Sequence, residues 1–184
     1  VGMNEAEQLR EDNERLKARV IELERKLAFW EGHTTLGYGA RGEQLVAAIT
    51  GGQLTHHTEL FDLEMSNGAR VEVKYSKANV SVKGSPGRRW QWNKIYGQAG
   101  GKKYDYLLLI GEKDERHWKD YRDSDAPYVL FLLKRGDERP FVSSGGNYIS
   151  VGANPLPKTV RYRALFERHQ ISADALSEAL QRDD

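Results

Sequence analysis

Leucine returns every seven residues at the start of the chain. Leu9, Leu16, Leu23 and Trp30 share one heptad position, d, while Ala6, Asn13, Val20 and Leu27 share another, a. A helix over residues 3–32 with that seam predicts a coiled coil, and Leu at d with a lone Asn at a favours two parallel strands in fixed register. The dimerisation seam is then Leu9, Asn13, Leu16, Val20, Leu23 and Leu27. Flanking charges agree: Glu5–Arg10, Asp12–Lys17, Arg19–Glu24 and Lys26–Glu31 are g–e′ pairs five positions apart, and each is opposite in sign. An amphipathic helix packed on its own domain would not require those matched pairs. The coil is short, so the rest of the chain is expected to help hold the dimer.

Beyond Gly32 the period changes. A helix is predicted from Ala40 to Ile49, stopped by Gly51-Gly52. Two strands, Thr58–Met65 and Arg70–Tyr75, flank Ser66-Asn67-Gly68, and Asn79–Val82 is expected to extend their sheet. Arg89–Gln98 reads as a short helix. Tyr104–Gly111 and Tyr128–Lys134 are nearly continuous apolar runs, as suits strands buried on both faces. Phe141–Val151 is irregular, Asn154-Pro155-Leu156-Pro157 is a linker, and Ser172 is placed to cap a helix over Ala173–Gln181. The order predicts an α/β chain with a mixed sheet flanked by helices. Its domains are a coiled-coil helix at 3–32, a central domain at 33–153 and a C-terminal helical segment at 154–184.

The hairpin register follows from its apolar face. A three-residue turn with Gly68 left-handed pairs Met65 with Ala69, Leu63 with Val71 and Asp62 with Glu72. It gathers Phe61, Leu63, Met65, Val71, Val73 and Tyr75 on one face, and Asp62, Glu64, Arg70, Glu72 and Lys74 on the other. A shift of one residue would mix the two faces. Two carboxylates thus oppose each other, an unfavourable pair unless a cation joins them, and carboxylate oxygens suit Mg²⁺. An ion pair between Glu64 and Arg70 is expected alongside.

Asp62, nine intervening residues and then Glu72-Val73-Lys74 resemble the signature of the PD-(D/E)XK nuclease superfamily. Glu43, on the helix before the hairpin, matches an acidic residue often found there. The resemblance covers about Tyr38 to Gly111, and departs from the pattern where Phe61 stands in place of Pro. It implies a restriction-endonuclease-like fold. Asp62 and Glu72 would bind Mg²⁺, for which Mn²⁺ could substitute, Lys74 would sit beside the attacking water, and Glu43 would complete the catalytic set.

Charge bears on the substrate. The whole chain carries a formal net charge of only +1, yet from Arg70 to Lys103 nine basic residues face a single acid, Glu72. Trp90, Trp92 and Tyr96 interleave with them. Lys77, Lys83, Arg88, Arg89, Lys94, Lys102 and Lys103 are therefore the expected DNA contacts. The absence of cysteine excludes disulfides, thiolate metal sites and cysteine nucleophiles. No apolar run approaches a membrane span, so no membrane partner and a cytoplasmic location are expected. Gly37-x-Gly39-x-x-Gly42 lacks the preceding strand of a dinucleotide-binding loop. His56, His57 and His117 read as loop or surface residues. The expected activity is a Mg²⁺-dependent endonuclease on double-stranded DNA, type II restriction-like and homodimeric, with further pairing of dimers left open. A homing, repair or phage nuclease of the same superfamily, a non-catalytic DNA-binding dimer and a coiled-coil adaptor are the alternatives.

Overall fold

The computed structural model describes residues 5–32, 38–56, 59–78, 80–81, 87–97, 101–113, 126–154 and 159–182. Two units emerge, residues 1–37 and residues 38–184. The first holds one 28-residue helix, α1 (Glu5–Gly32). Its Leu9, Leu16, Val20 and Ile21 are all more than half exposed, and its charges pair along the helix, Arg15 with Asp12, Lys17 with Glu14 and Arg19 with Glu22.

The second unit begins with α2 (Tyr38–Thr50). Among the described residues nine strands follow: β1 (Gln53–Leu54), β2 (Leu63–Glu64), β3 (Arg70–Ser76), β4 (Val80–Ser81), β5 (Arg88–Asn93), β6 (Tyr106–Glu112), β7 (Tyr128–Lys134), β8 (Tyr148–Asn154) and β9 (Gln170–Ile171). Two further helices, α3 (Val160–His169) and α4 (Ala173–Gln181), flank β9. The larger sheet runs β1-β2-β3-β6-β7-β9 and the smaller β4-β5-β8. β3 and β6 are parallel while the other neighbours are antiparallel, so the sheet is mixed, as the pattern predicts. Among the described residues no helix is long and apolar enough to cross a membrane.

Alternation along β3 and β6 divides the core. A Cβ placed on Gly42 of α2 would touch Val73, Tyr75 and Ile110, so α2 covers that face. Leu107 and Leu109 face the other way, into a cluster with Trp90, Trp92, Phe131, Ile149 and Val151. Glu72 and Lys74 lie opposite Leu107 and Leu109 in the parallel register, so they enter from this aromatic-rich side.

The structure corrects four expectations about the elements. Within Asn79–Val82, Val80–Ser81 pairs with β5 in the smaller sheet instead of extending the hairpin's sheet. The described residues of Arg89–Gln98, 89–97, hold no helix: β5 takes the first half, with Trp90 and Trp92 buried on one face and paired with Val151 and Ile149 of β8. Their indole N–H groups donate to Glu112 O at 2.7 Å and Ile110 O at 2.9 Å. Two large apolar rings two residues apart bury together only in an extended chain. Of the strand expected over Thr58–Met65, the described residues 59–65 hold only Leu63–Glu64, because the chain turns away at Asp62. Phe141–Val151 ends in a full strand, β8. The hairpin register holds: Leu63 pairs with Val71, Met65 N–H bonds Ala69 O, and Gly68 is left-handed at φ 82°. At the other end Ser172 caps α4 by accepting from Ala175 N–H at 3.2 Å. Leu165, Leu176 and Leu180 are fully buried. Asn67 at the hairpin turn donates to Leu180 O at 3.1 Å, tying the C-terminal helix to the hairpin.

Gly111 leaves no room for a side chain. A Cβ there would lie 2.5 Å from the Trp90 ring, which is itself wedged among Trp92, Phe131 and Phe166. Gly111→Ala is expected to destabilise the fold by about 1–3 kcal/mol through overpacking, read as a lower urea midpoint with an unchanged slope.

Candidate active site

Where the hairpin ends, a side chain takes over from the backbone. Asp62 N–H bonds Val71 O at 3.0 Å, the last rung of the pairing. The next amide on β3, Val73 N–H, is taken by Asp62 Oδ2 at 2.8 Å. The carboxylate thus fills the place of a missing strand and is fixed beside β3. Its other oxygen, Oδ1, lies 3.7 Å from Lys102 Nζ.

Glu72 projects from β3 into the same spot and is fully buried. Lys74, two residues along the same face, donates to Glu72 Oε1. Lys102 Nζ stands 2.8 Å from Oε2, so each oxygen of the buried carboxylate faces an ammonium group. Glu43, half-buried on α2, lies within the field of Asp62, Lys74, Glu72 and Lys102. Burial, then the Asp62 charge, raises the Glu72 pKa, against the pull of Lys74 and Lys102. The same two causes, in the same order, raise Glu43. Burial works against the charge on Lys102, but its contacts with Glu72 and Asp62 outweigh it and hold the ammonium above its ordinary range.

Of the four residues singled out for chemistry, Asp62, Glu72 and Lys74 are therefore brought together around β3, and Glu43 lies within their electrostatic reach from α2. Lys102, expected among the DNA contacts, joins them instead. It reaches the carboxylates past Gly97, where a Cβ would sit 2.7 Å from the Lys102 stem. No spacing rule marks such a residue; its place follows from the parallel pairing of β3 with β6, which returns the chain before β6 to the start of β3. Arg88 and Arg89 are half-buried at the start of β5, Lys77 is half-buried after β3, and Lys94 and Lys103 are exposed. Lys83, His57 and His117 lie outside the described residues, and His56 is exposed. In α1, Leu9, Asn13, Leu16 and Val20 are exposed, whereas the side chains of Leu23 and Leu27 lie outside the description.

The expected Glu64–Arg70 pair is replaced. Arg70 turns to Asp105 at the mouth of β6, Nε and a terminal nitrogen giving 2.9 and 2.7 Å contacts, while its backbone N–H bonds the same carboxylate at 2.9 Å. That fork holds Asp105 below the ordinary carboxylate range. A bidentate guanidinium contact anchored by a backbone donor outcompetes a single cross-strand carboxylate on an exposed face.

As a cation site the cluster has a definite donor set. Among the described residues no three acidic or histidine side chains converge closely enough to enclose a metal alone. Asp62 and Glu72 supply two carboxylates that share Lys102 as a neighbour, oxygen donors of the kind a hard cation takes. Mg²⁺ characteristically takes one or two carboxylates and completes its shell with water, so these residues fit it. No protein-family model matches the chain, and no curated protein matches it significantly.

The raised carboxyls set a pH dependence. Glu43 and Glu72 hold a proton more tightly in the folded chain than at 4.5, the value of a freely solvated glutamate. Folding at this cluster is therefore favoured as pH falls from above the raised values toward 4.5, and disfavoured as pH rises through them. Glu43→Gln, measured by urea unfolding with chelator present, is expected to gain relative to wild type at pH 8 and to lose that gain near pH 5. A difference independent of pH would show that Glu43 does not carry the linkage.

Proposed function

We propose that the chain is a Mg²⁺-dependent endonuclease that hydrolyses phosphodiester bonds in double-stranded DNA and acts as a homodimer. The observation that carries this reading is the meeting of Asp62, from the bend before β2, with Glu72 and Lys74 of β3, within electrostatic reach of Glu43 on α2. In it, Asp62 and Glu72 hold the cation and Mn²⁺ can replace Mg²⁺. Bound there, the ion would supply Lewis acidity toward the phosphate and an activated water. Lys74 has spent one N–H on Glu72 Oε1. Its remaining donors can orient the attacking water or oppose charge building on the phosphate. Glu43, with its proton affinity raised by burial, is suited to receive the proton that the water gives up.

The dimer rests on α1. Its exposed Leu9, Leu16 and Val20 share one seam with Asn13, and a parallel partner would cover all of them in register. Two sites carried on one dimer suit the cutting of both strands of a two-fold target. A second reading, a non-catalytic DNA-binding dimer, is favoured by the two lysines on Glu72, which already balance the buried charge. Plasmid incubated with and without Mg²⁺ separates the two.

Asp62→Ala, Glu72→Ala and Lys74→Ala are each expected to lower the cleavage rate by about 100-fold or more, with DNA binding retained in Lys74→Ala. Three variants that cut at the wild-type rate would overturn the assignment. Removing residues 3–31 is expected to lower the oligomeric state in sedimentation and to shift double-strand cutting toward nicking. A truncated chain that remains the same dimer would place assembly in residues 38–184 instead.

A further inference from the structure

Beside the carboxylate cluster lies a polar cavity of about 170 Å³, lined by Tyr96, Lys102, Tyr104, Arg135, Glu138 and Arg139. Lys102 belongs to both places: its stem forms part of the cavity wall, and its ammonium reaches Glu72. Half of the side chains in the wall, Lys102, Tyr96 and Glu138, are already engaged. Glu138, 2% exposed, accepts from Gly136 N–H at 2.6 Å and holds the Tyr96 hydroxyl.

The Tyr104 hydroxyl is different. Tyr104 is 2% exposed, and its oxygen is buried without a hydrogen-bond partner. Burial, followed by the Glu138 charge, pushes the phenol above its ordinary range, so it remains a donor. The Arg135 guanidinium lies over the Tyr104 ring, 5.9 Å from its centroid, and Arg139 is an exposed side chain in the same wall. A buried donor without an acceptor, flanked by two guanidinium forks, is built for an oxyanion. A planar fork matches the paired oxygens of a phosphate better than a point charge does.

We infer that this cavity is a phosphate-binding subsite, in which Tyr104, Arg135 and Arg139 hold a second phosphate group of the nucleic acid whose scissile bond lies at Asp62 and Glu72. The inference rests on reading the adjoining cluster as a phosphodiesterase site. Two sources share the chemistry: an internal diester next to the scissile one, or the monoester at a strand end. Lys102 bridges the two places, so a strand held in the cavity would pass directly over the carboxylates.

The test is binding of short DNA duplexes in chelator, with and without terminal phosphates, over a salt series. Arg135→Ala with Arg139→Ala is expected to weaken binding by about tenfold or more and to flatten the salt slope by about two charges. Tyr104→Phe keeps the shape of the ring and is expected to weaken binding severalfold while the melting temperature stays level or rises. A loss confined to phosphorylated ends identifies the monoester, and a loss on every duplex identifies the internal diester. Wild-type affinity and salt slope in both variants would overturn the inference. Arg139→Ala alone, at an exposed position, repeats the measurement should the double variant fail to fold. Because no cation is present, the outcome is separate from cleavage: a chain that binds through the cavity but never cuts keeps the subsite and loses the nuclease reading.

Discussion

β3 is held along its length by β6 but by β2 only over its first residues, and the site exists because of that asymmetry. A strand fully paired on both sides would have all its amides satisfied by backbone. Where β2 stops, Val73 N–H needs another acceptor, and Asp62 provides it. A backbone requirement thus fixes the orientation of a carboxylate, and the same turn of the chain opens the flank of β3 where Glu72, Lys74 and Lys102 gather.

The electrostatics follow from that placement. Burying a carboxylate is costly unless it is paired and hydrogen-bonded, and Glu72 meets the demand with two ammonium groups approaching from different segments. Three carboxyls and two lysines still leave a formal excess of one negative charge at the cluster. Burial first, and then that excess, raises the proton affinity of Glu43 and Glu72. Added positive charge is favoured in such a cluster, and a divalent cation at the proposed site would compete there with protons, so its affinity would depend on pH.

Much of this was legible in the chain. The end of α2, the register of the hairpin, the bounds of β7 and the Ser172 cap each follow from local signals that tertiary packing reinforces. The register brings Asp62 close to Glu72, and the Asp62 side chain, just past the end of β2, completes the meeting by holding Val73 N–H. What escaped depends on distant partners. β5 carries an alternating pattern over only six residues, and what makes it a strand is β8, more than fifty residues later. Arg70 had a local partner in register and found a better one on the far side of the parallel crossover. Lys102 was one cation among nine in a basic stretch, and nothing in its neighbours distinguishes it from the rest.

Both outer strands of the larger sheet, β1 and β9, are two residues long. A longer and flatter border would offer a row of free amides and carbonyls to any extended chain in solution. Next to the inner side of β9 runs Tyr128–Lys134, seven residues with one charge, no proline and no glycine. Such a segment has the composition of a self-templating strand. The C-terminal turn of chain that supplies β9 is therefore a guard as well as a structural element. Proteolytic loss of the last two dozen residues would expose the sequence most able to nucleate fibrils, and would turn a folding defect into an aggregation hazard.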